Sequence, residues 1–188
     1  MGLKAYIANQ FGFSKTGEFL LEELIKPGLL KIGVTALDPF EACGLEIDFK
    51  RLETLEKHED IVAFWDEFNQ KVTPINNKLI RDSDCLLAIL DGGPAVDDGV
   101  ASEIGYYAAS GLGPIFALRT DFRCGENLAA SINPQVYGYI KMTGGKLVDR
   151  ASAGEKVIDL WFEEIKLWVE KVGAELNAIQ EAFGDNRI

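Results

Sequence analysis

Apolar residues cluster in short runs separated by longer stretches with helical spacing. Runs at 4–8, 85–90 and 114–118 are apolar almost throughout and end in polar or glycine-rich sequence, the pattern of strands buried on both faces. Residues 33–37 make a weaker fourth candidate and 137–142 a fifth, while 143–153, with Gly144 and Gly145 near its start, reads as a loop. Between them, helices are expected over 16–25, over 60–81 with an interruption near Pro74, over 100–110, and from 155 to about 183. Proline lacks the backbone N–H and crowds the preceding turn, hence the expected break at Pro74. In the last helix Val157, Leu160, Trp161, Ile165 and Trp168 recur at helical spacing and form a packing face.

This βαβα alternation predicts an α/β fold: a single doubly wound parallel five-stranded sheet with helices on both faces, in flavodoxin-like order. With no repeat or linker, residues 1–188 are expected to form one domain. Ligands of such sheets bind beyond the carboxyl ends of the strands, which directs attention to 9–12, 91–103 and 119–127.

The net charge of −11 opposes binding to a polyphosphate backbone, so no nucleic-acid partner is expected. No apolar run approaches the roughly 18 residues of a membrane span. The first residues lack the basic and long apolar regions of a signal peptide, so a cytoplasmic location is expected. The three cysteines, Cys43, Cys85 and Cys124, are widely spaced and fit neither a disulfide framework nor a metal site. The single histidine, His58, lies in a charged run. Neither a metal nor an organic cofactor is expected.

The richest segment is 90–106, an apolar strand running through an acidic glycine loop into a helix. Glu103 is expected in the first turn or so of that helix, where the helix dipole favours an ionised carboxylate at the mouth of the crevice. Asp97 or Asp98 could simply cap the helix. Asp97, Gly99, Glu103, Gly105 and Tyr106 together resemble the signature of the nucleoside 2-deoxyribosyltransferase family. The start, Ala5-Tyr6-Ile7-Ala8, is similar to that family's first strand, and Asn127-Leu128 resembles an asparagine-leucine pair in its later loop.

The resemblance implies transfer of 2-deoxyribose between nucleobases, with deoxynucleosides and free bases as partners. Glu103 would attack C1′, Asp97 would serve the second acidic role beside the base, and Tyr6 would hydrogen-bond Glu103. Asp91 would bind the sugar or orient Asp97, and Asn127 would hold the sugar 5′-hydroxyl of a neighbouring subunit's site, which implies a homo-oligomer. Phe11 and Phe13 offer flat surface for a base. Many members carry an aspartate eight residues before the position of Asp84, where this chain has Asn76, which can hold a base but cannot supply a proton of useful acidity. Two other readings remain at this stage: hydrolysis of a deoxynucleoside or its 5′-monophosphate, and a non-catalytic nucleotide-sensing module.

Overall fold

A computed structural model describes residues 2–93, 95–123 and 131–184, without side-chain detail beyond residue 178. The sheet has the order β2-β1-β3-β4-β5, its strands being β1 (Leu3–Ala8), β2 (Val34–Leu37), β3 (Cys85–Ile89), β4 (Ile115–Arg119) and β5 (Lys146–Asp149). Every pairing is parallel, and helices cover both faces, as the βαβα pattern predicts. Side chains along β1 alternate between two cores. Ala5 and Ile7 pack with Leu21, Ile25 and Leu29 and with Val157, Trp161 and Ile165. Tyr6 and Ala8 pack on the opposite face with Val100, Ile104, Val136 and Ile140.

The helices are α1 (Lys15–Leu20), α2 (Lys26–Lys31), α3 (Pro39–Glu46), α4 (Phe49–Leu52), α5 (His58–Arg81), α6 (Asp98–Ser110), α7 (Pro134–Met142), α8 (Arg150–Ala153) and α9 (Val157–Gly184). A π-helical turn, Leu21–Ile25, joins α1 to α2 and carries the first helical stretch beyond its expected end. No helix among the described residues is long and apolar enough to cross a membrane.

Three expectations are corrected. The expected strand at 137–142 is part of α7: Asn133 caps it by accepting from Gln135 N, Pro134 opens it, and Val136 and Ile140 bury themselves one turn apart. The fifth strand lies instead in the expected loop, at β5. Gly145 makes that approach possible, because a Cβ there would stand 1.9 Å from the Ile115 carbonyl oxygen. Finally, α5 runs unbroken through Pro74. The proline removes one hydrogen-bond donor, but packing of Phe64, Phe68, Val72 and Ile75 against Cys43, Ile47 and Leu52 holds the helix on both sides of it.

This last contact makes a third, smaller core outside the sheet. It sets α3, α4 and α5 as a wall beside the carboxyl ends of β1 and β3, where the strand order reverses and a crevice must open.

Candidate active site

Asp97 fixes the start of α6 by accepting from Val100 N at 3.1 Å, the capping role that sequence alone allows it. Val100, Ile104, Tyr107 and Ala108 bury the inner face of the helix. Glu103, three residues after Val100, shares that face and lines the crevice. It stands in the second turn of α6, not the first, and its charge is not secured by the helix end.

Tyr6, fully buried on β1, donates its hydroxyl to Glu103 Oε1 at 2.6 Å. Asn76, from α5, donates Nδ2 to the same oxygen at 3.1 Å. Both donors converge on Oε1, and among the described residues Oε2 accepts no hydrogen bond. Burial pushes the Glu103 carboxyl up to about 7 against the pull of the Tyr6 and Asn76 hydrogen bonds, with the Asp97 charge adding to the rise. The expectation of a carboxylate held firmly ionised by the helix end is thereby corrected: burial favours the protonated form of Glu103. Burial, then the charge of Glu103, drives the Tyr6 hydroxyl far above its usual range, so it remains a proton-bearing donor.

The crevice is a cavity of about 540 Å³ whose lining includes Glu103, Asp97, Asn76 and Asn9. Asn9 holds the loop after β1, donating to Ile7 O and accepting from Phe11 N. Asn76 Oδ1 is buried with no partner. No lysine or arginine lines the cavity among the described residues. The ammonium of Lys15, at the nearby start of α1, is exposed and paired with Glu18.

The remaining expected residues divide. Phe13 lines the cavity, largely exposed, with its ring edge-to-face against Phe40 at 4.9 Å. Phe11 packs instead against the sheet core on the α9 side and does not line the cavity. Asp91 also lies off the cavity lining: its Oδ1 accepts from Thr120 N and Asp121 N, and its Oδ2 from Thr120 Oγ1. That carboxylate ties the end of β3 to the end of β4. Asn127 lies outside the described residues.

Sequence reasoning missed the outer wall, made by Phe40 and Cys43 of α3, Phe49 of α4, and Trp65, Phe68 and Val72 of α5. Close packing fits it together, since Gly12 lies flat on Phe40 and a Cβ there would meet the ring at 2.4 Å. Buried Asp38 anchors the wall by capping α3 at Phe40 N and pairing with Lys26 Nζ at 2.7 Å. Burial works against the Lys26 charge, but the hydrogen bonds it donates to Asp38, Glu22 and Glu41 outweigh it and hold the ammonium above its usual range. The same three carboxylates could offer oxygens to a cation, yet Lys26 already reaches all of them.

Comparison with known proteins adds to this geometry. The family model for nucleoside 2-deoxyribosyltransferase matches residues 5–178. A crystal structure of a conserved protein from Enterococcus faecalis V583 is 27% identical, covering 89% of this chain and 99% of that one at a TM-score of 0.58. A 2-desoxiribosyltransferase from Leishmania mexicana shares the fold at 18% identity and a TM-score of 0.51, with 86% of this chain and 97% of that one covered. A 2-deoxyribosyltransferase from Bacillus psychrosaccharolyticus overlaps less, with 22% identity, 61% and 71% coverage of the two chains and a TM-score of 0.44. A search of curated proteins finds no match.

Proposed function

Since the chain belongs to the nucleoside 2-deoxyribosyltransferase family, we propose that it moves 2-deoxyribose from one nucleobase to another through a covalent intermediate on Glu103. The observation that carries this reading is the asymmetry of the carboxylate. Oε1 is held by Tyr6 and Asn76, and Oε2 has no donor among the described residues and belongs to a group lining the cavity.

In the first step, ionised Glu103 forms an Oε2–C1′ bond as the C1′–N bond breaks, and the electron pair goes to the base nitrogen. The departing base must take up a proton. Asn76 cannot supply it. Asp97, the other carboxyl lining the cavity, is assigned that role, and its protonated form would deliver the proton directly or through water. In the second step the incoming base attacks C1′, the ester C1′–O bond breaks, and the incoming N–H proton returns to Asp97. Two inversions give retention, as in glycosidases that form a glycosyl-enzyme.

Free nucleosides fit better than their 5′-monophosphates. The described lining holds two carboxylates and no cation, so a phosphate there would meet repulsion and no charge-assisted hydrogen bond from an arginine or lysine. Incubation with deoxyinosine and adenine, followed by chromatography, tests the reading: deoxyadenosine is expected. Hypoxanthine with deoxyribose and no deoxyadenosine would replace transfer by hydrolysis, and unchanged substrates would support a sensor.

The homo-oligomer with shared sites belongs to the same proposal, with Asn127 reaching the sugar 5′-hydroxyl across a subunit boundary. Mixing inactive E103Q and N127A chains after joint refolding is expected to restore part of the activity, since a mixed assembly contains sites with both residues intact. No recovery would assign Asn127 to its own subunit's site.

A further inference from the structure

Glu103, Asp97, Asn76 and Asn9 gather where β1, α5 and α6 meet. Beyond Asn76, towards the start of α5, the lining turns apolar: Val72, Phe68 and Trp65, with Phe40 and Cys43 of α3 and Phe49 of α4, carry no side-chain oxygen and only an indole N–H and a thiol as polar groups. The thiol itself is nearly buried. Phe49, Trp65 and Phe68 are locked with Phe64 in an edge-to-face mesh with ring centroids 5.4–6.2 Å apart, so this end is a shaped surface. Yet Phe49 and Trp65 each remain 41% exposed, which leaves large aromatic area open to solvent.

A sugar with its hydroxyl groups suits the first end, beside Glu103. The base then extends towards the second. The exocyclic amino and carbonyl groups of an unsubstituted base would lose water against this wall and gain almost no hydrogen bond in return. A cavity of about 540 Å³ falls within the roughly 300–1000 Å³ range of sites that enclose drug-sized ligands.

We infer that the preferred base carries a bulky apolar substituent, alkyl or aryl, on the edge away from the sugar, and that the wall of α3, α4 and α5 selects for it. This rests on the transferase reading for the orientation of the base. Discrimination follows from apolar area alone: one methylene in a hydrophobic pocket is worth about tenfold or more, and an aryl group covers several.

The test compares adenine with N6-benzyladenine as acceptors from deoxyinosine, alongside equilibrium dialysis of each free base with the intact protein. A KM at least about tenfold lower for N6-benzyladenine, matched by tighter retention in dialysis, is expected. Trp65→Ala, at a half-exposed position that does not hold up either sheet core, is expected to reduce that ratio severalfold. Exchange that favours adenine, or shows no difference, would overturn the substituent preference and leave the transferase reading standing; a neighbouring subunit filling the wall would give this result. If neither base is exchanged but N6-benzyladenine is still retained about tenfold more tightly, the assigned chemistry falls and the preference holds. Retention of neither base overturns both.

Discussion

Asp91 and Glu103 are two carboxylates withdrawn from water at the same edge of the sheet, one at the end of β3 and one on the helix that follows. Asp91 has three donors for its two oxygens and lies off the cavity lining. Glu103 has two donors, both on one oxygen, and lines the cavity. A carboxylate with both oxygens engaged by its own chain is a brace between strands. One held by a single oxygen is fixed in place and still able to react. Position along the sequence makes the two look alike; their partners separate them.

The largest effect expected from this contrast is on rate. Glu103→Gln preserves size and hydrogen bonding but removes the carboxylate proposed to attack C1′, and should lower base exchange by about a thousandfold or more in steady-state assays. Asp91→Ala, measured under conditions where it remains folded, should keep activity within about tenfold of the parent protein. Reversal of that order would break the comparison.

Stability should respond the other way. Removing the Asp91 carboxylate strands the amides of Thr120 and Asp121 and the Thr120 hydroxyl, and should cost about 2–4 kcal/mol by urea denaturation. Glu103→Gln should instead stabilise the protein above neutrality. The folded carboxyl titrates near about 7, above its ordinary 4.5, so it binds a proton more tightly folded than unfolded. Its stabilising contribution is complete below the unfolded value and is lost as pH rises from there through 7. By pH 8 ionisation costs about 3 kcal/mol, which glutamine avoids. Identical stability curves for parent and variant from pH 5 to 8 would remove burial as the cause of the shift.

The same titration should shape turnover. On the proposed mechanism the ionised form attacks, so kcat is expected to rise with pH along an acid limb centred near 7. Tyr6→Phe removes a hydrogen bond that favours the carboxylate, and should move that limb upward by about one pH unit. A limb that stays in place would assign it to another group.

Legibility in the sequence followed how local each signal is. β1, β3 and β4 are buried on both faces and show as unbroken apolar runs. β5 is a four-residue edge strand, Lys-Leu-Val-Asp, too short and too polar to stand out, while Tyr137, Tyr139, Ile140 and Met142 make a largely apolar run in α7 that imitates a strand. Motif and resemblance single out Glu103, Asp97, Tyr6 and Asn76, which the fold gathers at the cavity. The outer wall was not, because Phe64, Trp65 and Phe68 recur with the helical spacing that any packing face shows, and part of that face does pack. Asp91 and Phe11 lie off the cavity for a related reason: where a loop side chain points is settled by distant partners, here Thr120 and the core beneath α9. The raised Glu103 carboxyl was equally out of reach, because burial is a property of the assembled chain.

Tyr6 reaches Glu103 from the middle of a strand, in register with Leu37 of β2 on one side and Leu86 of β3 on the other. Side chains alternate along a strand, so a slip of one residue would turn the tyrosine towards α9 and bring an alanine or isoleucine into its place. A chain that collapses with β1 mispaired can bury nearly as much apolar surface, yet it lacks the hydroxyl that holds Glu103 in place. Recovered turnover after refolding from denaturant therefore counts correctly registered molecules, whereas far-ultraviolet circular dichroism counts every chain that has regained helices and strands. The gap between the two recoveries measures how often the first strand finds its neighbours out of step.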